Sequence, residues 1–231
     1  MAAPDDHGHA LRVAVLGTGI MGAAMARRLV AAGMPTTVWD RSPSATVSLG
    51  EAGAVVAASA AEAAGSARVV ITMLPTADVV TSVVFDGGVA AAFAQGAVWV
   101  QMGTIGVGAT TEIAGRLREM RPDVLFADAP VSGSKGPAET GQLLILASGP
   151  PAAQAIAGPA FAAIGRRTVW LGEAGQGSRM KLVVNAYMSV LIEGVAFYSG
   201  AAQGIGHCDG RAAVCDRDGP ALAARDCGPQ R

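Results

Sequence analysis

Two lysines stand among 231 residues, against fifteen arginines. One of them, Lys181, lies in the apolar stretch SRMKLVVN, residues 178–185. An ammonium can give up its proton where a guanidinium cannot. Burial lowers the lysine pKa from about 10.4 toward neutrality. Lys181 is therefore a candidate acid/base, able to protonate an oxygen on which negative charge develops. Asn185 follows one helical turn later on the same face, where it can orient the ammonium or a bound molecule. The competing account is a lysine whose stem packs on apolar neighbours while its head reaches water.

A second chemical feature lies near the start. Gly17-Thr18-Gly19-Ile20-Met21-Gly22 is GxGxxG, set after a β-rich run and opening a helical one. Gly17 permits a tight turn, Gly19 lets the backbone approach a pyrophosphate, and Gly22 allows close helix–strand packing. The helix N-terminus adds N–H donors and partial positive charge. A Gly-rich turn that binds nothing is the bland alternative. About twenty residues on, Asp40 ends the second strand where a ribose-binding acid belongs, which favours NAD. Arg41 and Ser42 instead offer a guanidinium and a hydroxyl to a 2′-phosphate, and on that pair NADP is favoured over NAD.

The elements that must position these groups follow from the pattern. RVAVLG (12–17), TTVWD (36–40), VVITMLP (69–75) and AVWVQMG (97–103) are short apolar runs rich in β-branched residues. LFADAPV (125–131), LLILAS (143–148) and RTVWLG (167–172) continue the series. Ala-rich helical stretches separate them, so one parallel sheet covered on both faces is expected, an α/β doubly wound fold. From about Gly175 to Gln203 a single long helix is expected, apolar almost all round, as for a helix buried between other elements. Its polar exceptions, Lys181, Asn185, Ser189 and Glu193, recur every fourth residue. The expected division is a disordered 1–10, a dinucleotide-binding domain over 11–173, a helix over 174–205 that begins an incomplete all-helical domain, and a disordered tail over 206–231.

Composition narrows the function. A formal net charge of −1 leaves no electrostatic footprint for nucleic acid. The polar start MAAPDDHGHA does not read as a signal peptide, and no uninterrupted apolar run spans a bilayer, so no membrane partner and a cytoplasmic location are expected. Cys208, Cys215 and Cys227 cluster near the end with His207 but match no common zinc spacing, so no metal is expected. The tail GHCDGRAAVCDRDGPALAARDCGPQR, from Gly206, loses periodicity and gathers every cysteine. A shifted reading frame or truncation is the expected origin.

Four separated segments carry a family resemblance: VLGTGIMG (15–22), TMLPTADVV (72–80), DAPVSGSKGPAETGQLLILASG (128–149) and GEAGQGSRMKLVVN (172–185). The chain resembles the β-hydroxyacid dehydrogenases over roughly residues 11 to 205. It is most similar to the glyoxylate/succinic semialdehyde reductase branch, because "VSGSKGPAE" stands where the hydroxyisobutyrate branch carries a Gly-Gly loop. The resemblance implies hydride transfer between a nicotinamide and a small aldehyde acid or β-hydroxy acid, with Lys181 as the acid/base. It implies that Ser132 and Gly133 hold the substrate carboxylate, with Ser134 in the same loop and Lys135 adding charge. Lys135 as an ordinary exposed loop residue is equally open. Leu74, Pro75 and Thr104 would line the cofactor cleft. Full-length members imply a homo-oligomer. Two rival readings stay open: an imine reductase, and a truncated dinucleotide-binding protein without catalysis.

Overall fold

Val13, Ala14, Val15 and Leu16 are all buried in the first strand, β1 (Val13–Leu16), of the computed structural model, which describes residues 10–208 and 211–214, with side chains through Tyr198. The chain continues through α1 (Ile20–Ala31), β2 (Thr36–Trp39), α2 (Val47–Glu51), β3 (Val55–Val56) and α3 (Ala60–Gly65). Next come β4 (Val69–Thr72), α4 (Ala77–Thr81), α5 (Val89–Ala92), β5 (Val98–Gln101), α6 (Val107–Met120) and β6 (Leu125–Asp128). These six strands form one parallel sheet in the order β3-β2-β1-β4-β5-β6. The order reverses between β1 and β4, which opens a crevice at the carboxyl ends of the strands.

The continuous apolar strands have a simple cause: both faces of the sheet are covered. Val13, Val15, Val69, Ile71, Val98 and Val100 point to one core, which includes Met25 and Leu29 of α1. Ala14, Leu16, Val70 and Trp99 point to the other, against Ala63 of α3 and Ile113 and Leu117 of α6. Trp99 is fully buried, and its indole N–H donates to the Thr72 hydroxyl at 2.8 Å.

Beyond β6 the structure departs from a single sheet. After β7 (Val131–Ser132), α7 (Lys135–Glu139), β8 (Leu143–Ala147) and α8 (Pro151–Ile164) comes β9 (Gly165–Trp170). β7, β8 and β9 form a separate three-stranded sheet in which β7 runs antiparallel to β8. LFADAPV is therefore two strands. Pro130, with no N–H for a ladder, marks the break between β6 and β7.

The last described elements are α9 (Gln176–Gly204), β10 (Ile205–Cys208) and β11 (Arg211–Val214). The helix matches expectation within one residue at each end. The chain divides into two compact units, Met1–Val183 and Val184–Arg231, so the boundary falls inside α9 rather than ahead of it. In the first unit the opening turn of α9 is fastened to strand ends, as set out below. In the second, the apolar helix is left uncovered: Val190 is 70% exposed and Phe197 73%. β10 and β11 pair as an antiparallel hairpin where a structureless tail is expected from composition. The remainder of that tail, and residues 1–9, lie outside the described residues.

The segment Gln176–Tyr198, 23 residues with mean hydropathy 1.4, is long and apolar enough to cross a membrane by length and composition. Isolated polar residues interrupt it without lowering the average much, so no uninterrupted apolar run reaches that length. Arg179, Lys181 and Glu193 lie within it, and ionisable side chains of this kind weigh against spanning.

Candidate functional site

Gly17 directly follows β1 with φ +93°, a conformation that favours glycine. A Cβ there would lie 2.6 Å from the Met73 carbonyl oxygen, so the turn is held tightly against the end of β4. A Cβ at Gly22 would fall on the Gly17 carbonyl oxygen, and this contact seats α1 on the turn. Gly19 differs. A Cβ on it would meet no protein atom, because it faces the open crevice. As the residue before α1 it offers no side-chain cap, and the first turn of the helix holds no acid. The partial positive charge at that end is left for an anion.

The crevice has a volume of about 840 Å³. Gly17, Gly19, Ile20, Met21 and Gly22 line it from the turn and α1. Asp40 and Arg41 line it from beyond β2, Leu74 and Pro75 from beyond β4, and Thr104 from beyond β5. Ten of the twelve residues expected at a dinucleotide thus converge on one cleft. Trp39, Asp78 and Ser82, which carry no motif of their own in the sequence, also line it.

Thr18 and Ser42 are not among the lining residues; both serve Asp40. The Thr18 N–H donates to Asp40 Oδ2 at 2.7 Å, and the Ser42 N–H donates to Oδ1 at 2.9 Å. The Thr18 hydroxyl also reaches Oδ2, at 3.3 Å. Asp40 therefore ties the glycine turn to the end of β2. A carboxylate keeps about four lone-pair sites, so ribose hydroxyls remain possible partners. Arg41 is exposed and enters no ion pair among the described residues.

The residues expected at the substrate are not in this cleft. Ser132 lies in β7 and is partly buried, whereas Gly133 and Ser134, in the loop that follows, and Lys135, the first residue of α7, are exposed. Gly133 has φ +139°, and a Cβ on it would come 2.8 Å from Leu143 Cδ2. Ser134 has φ −100°, an ordinary value that any residue adopts. Lys135 pairs with Glu139 at 3.8 Å across one turn, in full view of solvent. Such a pair contributes about 0.3–0.5 kcal/mol.

Lys181 is half-buried, not enclosed as its apolar neighbours suggested. Desolvation nonetheless lowers its pKa from the usual lysine value. Asn185 is exposed and belongs to the second unit. Missed by the sequence reading is Asp128, fully buried at the end of β6, whose carboxylate bonds to the first turn of α9.

A 3-2-1-4-5-6 parallel sheet, with a glycine turn and an uncapped helix start at its switch point, defines a dinucleotide-binding domain of the doubly wound class. The comparisons with known proteins agree. Residues 12–172 match the family described as the NAD binding domain of 6-phosphogluconate dehydrogenase. The chain belongs to that family, among the β-hydroxyacid dehydrogenases whose four motifs it carries. It is 39% identical over 183 residues to glyoxylate/succinic semialdehyde reductase 1 of Arabidopsis thaliana, an alignment covering 79% of this chain and 63% of that protein. The 3-hydroxyisobutyrate dehydrogenase of Mycobacterium tuberculosis, solved with L-serine, superposes with TM-score 0.76 at 31% identity. That match covers 84% of this chain and 65% of the other. An imine reductase from Myxococcus stipitatus shares the fold with TM-score 0.76 at 19% identity, over 84% of this chain and 66% of the other. The chain thus spans under two thirds of the curated relative's length.

Proposed function

We propose that the protein transfers a hydride between NADP(H) and a small carboxylate-bearing aldehyde or β-hydroxy acid, of the glyoxylate, succinic semialdehyde or 3-hydroxyisobutyrate type. The observation that carries the reading is Lys181, a desolvated ammonium with lowered pKa, one turn past the fastened start of α9. When bound, the nicotinamide supplies or accepts the hydride. Gly19 leaves room for a pyrophosphate at the start of α1, and the side chains of the cleft exclude water from the ring. Lys181 Nζ stabilises the charge that develops on the carbonyl oxygen and hands it a proton. Ser132 and Gly133 hold the substrate carboxylate, flanked by Ser134 and Lys135, and Asn185 orients the ammonium. The assay is nicotinamide absorbance with glyoxylate, succinic semialdehyde and 3-hydroxyisobutyrate, each with both cofactors. Dinucleotide binding without turnover on any of them would select a non-catalytic binding protein instead. Turnover confined to cyclic imines would select the imine reductase reading.

For the cofactor, Arg41 at the rim of the cleft, next to Ser42, supports NADP, while Asp40 is occupied in bracing the glycine turn. Arg41→Ala is expected to weaken NADPH binding by about ten- to a hundredfold, the worth of a charge-assisted bond of about 1.5–3 kcal/mol. NADH binding should change little. Equal losses for the two in a fluorescence titration would assign the choice to Asp40 and make NAD the partner. A formal net charge of −1 supports a small-molecule partner rather than nucleic acid, and a cytoplasmic, homo-oligomeric enzyme rests on the family resemblance alone.

A further inference from the structure

A helix start leaves its first N–H groups without intrahelical partners, and the residue just ahead usually supplies a side-chain cap. In α9 that residue is Gly175, whose carbonyl accepts the first helical bond, from Arg179 N–H at 3.1 Å. Glycine has no side chain to offer. The cap comes instead from Asp128, 50 residues away in sequence. Its Oδ2 accepts the Ser178 N–H and its Oδ1 the Ser178 hydroxyl, both at 2.7 Å. Ser148, paired with Asp128 across a β-bridge, accepts the Gly177 N–H at 2.9 Å. Ser178 also meets the Thr110 hydroxyl of α6 at 3.2 Å, and Thr110 donates to the Gly106 carbonyl at 2.8 Å. A Cβ on Gly177 would strike the Leu146 carbonyl oxygen, so the helix start lies directly on the strand ends.

This fastening is local. From Gln176 to Tyr198 only Gly177 and Ser178 are buried, while Arg179, Met180, Leu182 and Val183 are exposed. What holds Lys181 in its half-buried place is therefore the turn before it. We propose that Asp128 is a positioning residue, which clamps the start of α9 onto the ends of β6 and β8 and so fixes where the Lys181 ammonium sits. The proposal takes its functional weight from the reading of Lys181 as proton donor, but the clamp is observable without it. Burial raises the pKa of Asp128 and the bonds from Ser178, Ser148 and Gly175 lower it, so the carboxylate is held at some cost for those bonds.

The test uses the two lysines of the chain. Reductive methylation with ¹³C gives one NMR signal for each, assigned with Lys135→Arg, and titration follows Lys181 directly. In Asp128→Ala, amide protection from Gly177 to Lys181 is expected to fall at least about tenfold as the helix start opens. Lys181 should then titrate higher, toward the ordinary lysine value, because its desolvation is lost. Removing a negative charge without moving the helix would shift it the opposite way, since a lost anion disfavours the ammonium. Asp128→Asn keeps the size of the side chain and an acceptor for the Ser178 N–H, so protection should persist and Lys181 should stay at or below its wild-type value. Should Asp128→Ala fail to fold, Ser178→Ala removes the hydroxyl bond alone, and a smaller change of the same sign is expected in both readouts. Three results would overturn the proposal: undiminished protection in the variant that removes the clamp, an unchanged or lowered Lys181 there, or an Asn variant that behaves like the Ala one. Neither readout needs cofactor or turnover, so failure of the clamp and failure of the hydride-transfer reading are separate results.

Discussion

Gly22→Ala is expected to weaken dinucleotide binding at least about tenfold and to lower the melting temperature together with it. The added methyl falls on the Gly17 carbonyl oxygen, a backbone atom that cannot rotate aside. Relief requires α1 to back away from the turn, and Gly17 cannot follow because the Met73 carbonyl lies behind it. Overpacking of this kind costs about 1–3 kcal/mol, and about 1.4 kcal/mol is a factor of ten in binding. Gly19→Ala separates the two effects. Its methyl meets no protein atom and its φ of −63° suits any residue, so it should melt like the parent. It should still bind poorly, because the methyl stands in the crevice. Calorimetry on the two variants makes the comparison, and a Gly22→Ala protein with parental affinity would remove the glycine turn from the binding site.

The second large effect concerns chemistry. In an active full-length form, Lys181→Ala is expected to lower turnover by at least about a hundredfold, while dinucleotide affinity stays within about twofold. Lys181→Arg should be nearly as slow, since the charge is kept but the proton is not released. The direction of the pH dependence follows from the lowered pKa of Lys181. In the reductive direction the protonated amine is the working form, so the rate should fall as pH rises through a value below that of an ordinary lysine. Single-turnover kinetics across pH measures this, and near-normal turnover in Lys181→Ala would take Lys181 out of the mechanism.

Features written in contiguous residues were legible before any coordinates. The strand–glycine–helix order of residues 12–33 and the acid at Asp40 predicted the turn, and both line the cleft. Features that depend on distant partners were not. Asp128 sits in a recognisable motif, yet nothing local says that it caps a helix 50 residues on. Thr18 lies between two glycines of the turn, yet nothing local says that its N–H and hydroxyl face Asp40, 22 residues later. β3 is only two residues long, too short for a period to declare itself. Hydropathy marks α9 as a helix that prefers cover, but it reports what a side chain prefers, not what is at hand to cover it.

The split of LFADAPV at Pro130 has a consequence for self-association through the sheets. An exposed strand edge templates pairing with another chain. β6 would present such an edge, but Asp128 and Ser148 exchange backbone bonds at 2.9 and 2.7 Å along it, and the chain then turns away into β7. The opposite edge is β3, which offers Val55 and Val56 and no more. At the β3 margin, a second molecule could therefore add to this six-stranded sheet only over a ladder two residues long.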